Sequence, residues 1–228
     1  MAAPRSKARE IALEHLKKGD ALGWFDAIYE AAEGDEKSVP WADLVPNPAL
    51  VAWLDGPLAP KPQASDGTPK RALVVGAGLG DDVEHLSARG YDVTGFDISE
   101  RAVAWAKRRY PDSRARYEVA DLLAMPARYE HAFDLVFEAY TLQSLPHAIR
   151  PQAMKALVPT LREDGLLVIV ARARDEGPIE AVPGPPWALA RSELAPLGSA
   201  LTEIEMHDHV DAEPMRRWRA TYLYSTRG

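Results

Sequence analysis

The sequence predicts an α/β protein: a Rossmann-like, doubly wound, seven-stranded and mainly parallel sheet with a helical lid at its N-terminus. Three observations carry this. From Arg71 onward, short apolar runs rich in Val, Leu and Ile alternate with helical segments, the pattern of parallel strands joined by crossover helices. The first run, RALVV, stops at Gly76, Gly78 and Gly80, with Asp81 and Asp82 directly behind them, so a strand meets a glycine-rich turn. Two further strand-like segments near the C-terminus, paired as a hairpin with one inserted antiparallel, complete seven strands.

Each element has a local reason. Residues 6–18 and 21–33 carry apolar positions at helical spacing, and Gly19-Asp20 separates them. Pro40, Pro46 and Pro48 then punctuate an irregular stretch before a short helical piece near 48–54. Residues 55–69, rich in Pro, Gly and Ser, read as a connector. A strand at 71–76 is followed by a helix at about 80–89, which Gly90 ends, and by a strand at 91–96. Ser99 is placed to cap a helix at about 100–109, with Pro111 beyond it. Strands follow at 114–121 and 133–140, then a helix at about 148–162. Asp164-Gly165 turns into a fifth strand, LLVIVARA. A loop at 177–187 leads to a helix near 190–197, and segments at 201–209 and 216–226 have strand character. Residues 1–60 thus form a helical lid or extension and 70–228 the ligand-binding domain, together one compact unit.

Composition narrows the class. The chain has 228 residues, 46% hydrophobic and 27% charged, enough to bury a full core. A net charge of −7 argues against a nucleic-acid surface, which needs clustered Lys and Arg to neutralise phosphates. No apolar run approaches the roughly 20 residues that span a bilayer. The N-terminus is basic but contains acids and lacks an apolar core, so it does not read as a secretory signal. With no cysteine there is neither a disulfide frame nor a thiol nucleophile, and the expected compartment is the cytoplasm.

Glycine spacing separates two nucleoside cofactors. A dinucleotide fingerprint is G-x-G-x-x-G. Here the spacing is G-x-G-x-G, and Asp81 stands where the third glycine would fall, facing a pyrophosphate it would repel. S-adenosylmethionine has no phosphate, carries a sulfonium cation, and tolerates nearby carboxylates. Asp97, 21 residues beyond Gly76, ends the next apolar run and suits a ribose-binding acid in either system. Tight strand-to-helix packing is the plain explanation of such glycines, and helix-dipole complementarity that of Asp81 and Asp82. What favours a site is the ordered set of the glycines, Asp97, Asp121 after the third strand and Glu138 near the end of the fourth.

On these residues the chain resembles the class I methyltransferases that use S-adenosylmethionine, over residues 71–172. The resemblance implies that Gly76, Ala77, Gly78 and Gly80 approach the methionine tail, that Asp97 binds the ribose and Ile98 packs on the adenine. Asp121 and Leu122 match the adenine-contacting motif, and Glu138 frames the cofactor. Many members carry an acid two residues before the first glycine; here Val74 stands there, and Asp82 is a substitute. The run GAGLGDDVEHLSARGYDVTGFDISERAV is similar to the thiopurine, thiol and halide branch. It keeps Gly76, Gly78, Gly80, Asp82, Leu86, Gly95, Asp97, Ser99 and Ala102, with Val75 and Ala77 where the branch has Pro and Cys. The stretch from Trp24 to Leu50 resembles that branch's aromatic lid, and Gly184-Pro185-Pro186-Trp187 its loop before a helix.

The resemblance implies methyl transfer to a small molecule, with sulfur or another soft nucleophile as the expected acceptor. Trp24, Tyr29, Trp41, Tyr140, Gln143 and Trp187 are the acceptor-site candidates. Trp24, Phe25 and Tyr29, at helical spacing, equally suit a core. A thiolate needs no base, whereas a hydroxyl or amine needs a proton acceptor. Glu138, Tyr140, Gln143 and His147 are the candidates for that role, with His147 expected at the surface, and no catalytic residue is assigned. His207 and His209 share a strand face but lack further ligands at a zinc spacing, so no metal is expected. The other readings are an O- or N-methyltransferase of a small metabolite, a dinucleotide-dependent oxidoreductase and a non-catalytic cofactor-binding protein.

Overall fold

The structure, a computed structural model, describes residues 4–178, 184–210 and 215–226. The C-terminal apolar runs become seven strands: β1 (Arg71–Val75), β2 (Asp92–Asp97), β3 (Arg116–Val119), β4 (Phe133–Ala139), β5 (Leu161–Arg172), β6 (Thr202–Val210) and β7 (Arg216–Leu223). They form one sheet in the order β3-β2-β1-β4-β5-β7-β6. β1 to β5 run parallel, while β7 is antiparallel to both β5 and β6. The seven-stranded, mainly parallel sheet expected from the sequence is therefore present.

Helices cover both faces, which explains why β1, β4 and much of β5 are apolar without alternation. On one face α3 (Pro48–Leu54), α4 (Asp81–Ala88) and α5 (Glu100–Arg109) pack Leu50, Trp53, Val83, Leu86, Val103 and Ala106 against Val74, Val93, Phe137 and Val168. On the other, α6 (Arg150–Leu157) sets Ala153, Met154 and Leu157 against Val136, Leu167 and Ile169. Ser99 caps α5 as expected, its hydroxyl accepting from Ala102 N at 3.0 Å. Gly95 has a local reason too: a Cβ there would lie 2.5 Å from Val83 of α4. Among the described residues no helix is long and apolar enough to cross a membrane.

The N-terminal stretch supplies α1 (Pro4–Lys17) and α2 (Trp24–Ala31), and they lean on this frame. Asp26 of α2 accepts from the Ser99 hydroxyl at 2.6 Å and from Arg101, while Arg101 also reaches Glu30 at 2.7 Å. Trp53 of α3 is buried and its indole N–H donates to Thr221 of β7 at 3.0 Å, a tie across 168 residues.

Three boundaries differ from expectation. The helix expected over 148–162 stops at Leu157, because Pro159 has no N–H to continue the ladder; a 3-10 turn at Val158–Thr160 follows. Asp164-Gly165 lies inside β5 rather than before it, in an irregularity where Phe133 pairs Leu161 and Leu135 already pairs Leu166. The helix near 190–197 is a run of 3-10 turns, Arg191–Leu197, with Pro196 inside it. Residues 179–183 of the expected loop, and the expected chain ends at 1–3 and 227–228, lie outside the described residues.

Trp53→Ala removes a fully enclosed indole together with the α3–β7 hydrogen bond. We expect it to cost about 3–5 kcal/mol, the range for aromatic-to-alanine core changes, read as a fall in the denaturant midpoint at unchanged slope.

Candidate active site

The sheet order reverses between β1 and β4, and α/β sheets of this kind hold their ligands outside the carboxyl ends of the strands at that point. A cleft of about 870 Å³ lies there. The tips of β1, β2 and β4 and the residues after β3 form one side; α1, α2 and residues 40–49 form the other.

The turn after β1 is shaped by its glycines. Gly76, Gly78 and Gly80 have φ of 64°, 53° and 95°. L-residues rarely adopt such angles, and each glycine also has a close neighbour. A Cβ on Gly76 would collide with the Thr141 hydroxyl, one on Gly78 would lie 3.3 Å from the Tyr29 hydroxyl, and one on Gly80 would lie 2.5 Å from that of Tyr117. Gly76, Ala77 and Gly78 line the cleft; Gly80 sits beneath, as the N-cap of α4.

The acids divide by what they touch. Asp97, at the end of β2 and only 7% exposed, accepts from Gly78 N at 3.0 Å and from Ser99 N at 2.9 Å. Burial raises its carboxyl pKa, against the pull of the backbone N–H groups of Ser99, Gly78 and Ile98. Asp121 lines the cleft beside Leu122 and Ile98, and one of its oxygens accepts from Leu123 N at 2.8 Å. Asp82 also lines it and accepts from Asn47 N at 2.7 Å; burial, with Asp81 and Asp43 nearby, lifts its pKa to about 6. Asp81 does not present a free carboxylate, because Arg109 grips it with two nitrogens at 2.9 and 3.0 Å and the Tyr110 hydroxyl adds a bond at 3.0 Å. Glu138 is not at the cleft wall. Fully buried, it accepts from Thr141 N at 2.6 Å and Leu142 N at 2.9 Å and so shapes the segment after β4; burial lifts its pKa to about 7.

The aromatic candidates also separate. Trp24, Tyr29 and Trp41 line the cleft, with the Trp41 indole donating to the Tyr29 hydroxyl at 2.8 Å. Tyr140 lines it with φ of 66°, and its ring lies 4.9 Å from the Arg217 guanidinium. Gln143 reaches the wall but is 3% exposed; its side-chain oxygen accepts from Arg172 N at 2.7 Å, and its carbonyl accepts from Trp187 N at 2.7 Å. Trp187 does not line the cleft. Its ring turns to His147, 5.5 Å away, and Pro185 and Pro186 take the wall position instead. His147 is half-buried: both its ring nitrogens are sealed from solvent, and burial lowers its pKa.

Several functional positions escaped the sequence. Arg150, 2% exposed, donates to Leu142 O at 3.0 Å, Leu145 O at 3.2 Å and Glu193 at 2.5 Å, fixing the segment that carries Gln143. Arg172 and Arg217 line the cleft without belonging to any local motif, and Asn47 of the lid-like stretch and His209 of the histidine pair line it as well. His207 and His209 do share a face, their rings stacked at 4.9 Å. Their acidic neighbours Asp211 and Glu213 lie outside the described residues, and among the described residues no group of three or more His, Cys, Asp or Glu is placed to hold a metal.

Comparison with known proteins agrees with this geometry. Residues 72–165 match the family model described as a methyltransferase domain. Thiocyanate methyltransferase 1 of Arabidopsis thaliana is 28% identical over 197 residues, covering 81% of each chain. Thiopurine S-methyltransferase of Aliivibrio fischeri (strain MJ11) is 27% identical over 147 residues, covering 58% of this chain and 67% of its own. The N-methyltransferase NodS from Bradyrhizobium japonicum WM9, solved with S-adenosyl-L-homocysteine, has the same fold at a TM-score of 0.62 and 21% identity, covering 86% of this chain and 98% of its own. The glycine turn, the acid at the end of β2 and these likenesses converge: residues 72–165 form a methyltransferase domain, and the chain resembles the class I S-adenosylmethionine-dependent methyltransferases.

Proposed function

We propose that this enzyme methylates a small-molecule thiol. The observation that carries this reading is the cleft itself. Its β1–β3 side offers a nucleoside frame with buried carboxylates, while its other wall is aromatic and proline-rich, and relatives of similar length are named for thiocyanate, thiol and thiopurine methylation.

In this reading Asp97 accepts from the ribose hydroxyls, Ile98 and Leu122 enclose the adenine, and Asp121 accepts from its exocyclic amine. Gly76, Ala77 and Gly78 admit the amino-acid end, where Asp82 takes the ammonium. Gly80 and Glu138 act from below, the first by starting α4, the second by holding Thr141 and Leu142. The cofactor, when bound, supplies an electrophilic methyl group on a sulfonium. A thiol of ordinary pKa, about 8.5, is partly thiolate at neutral pH and needs no base. The protein's task is then alignment and exclusion of water. Tyr140 and Gln143, with Pro185 and Pro186, form the wall for the acceptor, and Trp24 and Trp41 close it from the N-terminal side. Residues 1–60 act as the lid and 70–228 as the catalytic domain. The absence of cysteine supports a cytoplasmic setting, and the charge of −7 a small-molecule rather than nucleic-acid acceptor.

The acceptor is tested by measuring S-adenosylhomocysteine release with matched aromatic thiols, phenols and amines. Turnover of the thiols is expected; turnover of only phenols or amines sinks the sulfur assignment. Asp97→Ala should weaken S-adenosylhomocysteine binding by about 1–3 kcal/mol, the scale for a bond to a buried charged group; calorimetry at unchanged affinity would remove Asp97 from the site. Asp82 holds a cation only when ionised, and its pKa is about 6. Cofactor affinity should therefore be full above that pH and fall as pH drops through it. Asp82→Asn should weaken binding and flatten this profile.

A further inference from the structure

We propose that Arg172 and Arg217 bind a carboxylate on the acceptor, so that the preferred substrate is an aromatic thiol that also carries an acid group. This rests on the thiol reading above and narrows it.

Arg172 ends β5, Arg217 lies at the start of β7 and His209 near the end of β6. The three form one row across the sheet: Arg172 pairs with Arg217, and Arg217 pairs with His209. Residues directly opposite one another share a face, and all three line the cleft. Their neighbours Ala171 and Trp218 pair on the opposite face and are buried in the core. Two arginines set opposite each other on adjacent strands repel, which is a cost to the sheet. An anion between them relieves it. The row also stands beside the acceptor wall. Arg172 N donates to the side-chain oxygen of Gln143 at 2.7 Å, and the Arg217 guanidinium lies 4.9 Å from the Tyr140 ring. Tyr140 is held at φ of 66°, an angle rare for a bulky residue, with its N–H donating to Val170 O of β5 at 2.9 Å.

The cleft is divided by charge. Asp81, Asp82, Asp97 and Asp121 line it on the β1–β3 side, and Asp43 lies near enough to Asp82 to raise its pKa. Among the described residues no acid of β5, β6 or β7 lines it. An acceptor with a negative group at one end is therefore oriented. That group goes to the arginines, and the other end faces the cofactor side. A carboxylate suits the row best, because a planar guanidinium presents parallel N–H donors to its two oxygens. Each guanidinium has five such donors, more than one partner fills, and the His209 ring adds an N–H. The aromatic wall of Trp24, Trp41 and Tyr140 suits a flat ring as the body of the acceptor.

The test measures S-adenosylhomocysteine release by the whole protein with the three isomers of mercaptobenzoate and with their methyl esters, which keep the thiol and lose the charge. Hydroxybenzoates and their esters form a parallel set. Wild type should prefer acid to ester in kcat/KM by about ten- to a hundredfold for at least one isomer, chiefly through KM, the scale for bonds to a charged group. Arg172→Gln and Arg217→Gln should each bring that ratio close to one, and Arg217→Lys, which keeps the charge, should restore part of it. Equal kcat/KM for acids and esters in the wild type, or turnover of no acid, overturns the proposal. So does an equal loss on acid and ester in both glutamine variants, which marks the arginines as structural. Turnover of hydroxybenzoates alone, with the same preference over their esters, sinks the sulfur assignment and leaves the carboxylate assignment standing.

Discussion

The site depends on one buried carboxylate. Asp97 joins the glycine turn to the start of α5 by accepting from Gly78 N and Ser99 N. Ser99 caps α5 and also donates to Asp26, so α2 and the rest of the N-terminal segment are placed relative to the same carboxylate. Gly78 in turn lies under Tyr29. Three hydrogen bonds thus run from α2 through the tip of β2 to the tip of β1, and Tyr29 over Gly78 leads back to α2. Holding an acid at 7% exposure is costly, and its raised pKa records that cost. Two backbone N–H bonds offset part of it. In our reading the remainder is retained because a nucleoside sugar needs an acceptor there.

The cleft's other wall rests on a second buried charge. Arg150 fills its donors with Leu142 O, Leu145 O and Glu193, and Glu193 also holds Arg174 at 2.7 Å and Ala190 N at 2.8 Å. Glu138 secures the same segment from the strand side. The residues between Tyr140 and Leu145 are therefore tied by backbone-directed bonds on both flanks. This explains why Gln143, whose amide looks available in the sequence, is already committed to Arg172 N. Removing one partner from so enclosed a network leaves an unpaired buried charge, which is far worse than losing a surface ion pair.

Much of the glycine-turn side of the cleft was legible because its signals are local. The G-x-G-x-G turn, the Ser99 cap and the acids that follow β2 and β3 lie within a few residues of the elements they shape. The parallel sheet followed from alternation alone. The illegible parts are contacts across long separations: Asp26 with Ser99, Asn47 with Asp82, Trp53 with Thr221, Arg150 with Glu193. No periodicity encodes them. The misplaced boundaries come from proline chemistry, at Pro159 and Pro196, and from an irregular β5 where Asp164-Gly165 suggested a turn. Trp187 misled for another reason. A tryptophan after two prolines must bury somewhere, and here it meets His147 instead of the cleft.

The central claim is that the glycine turn and Asp97 read a nucleoside cofactor without phosphates. Titration calorimetry of the purified protein with S-adenosylhomocysteine and, separately, with NADH addresses it directly. The account predicts one-to-one binding of S-adenosylhomocysteine and no heat from NADH. Binding of NADH without S-adenosylhomocysteine would contradict it.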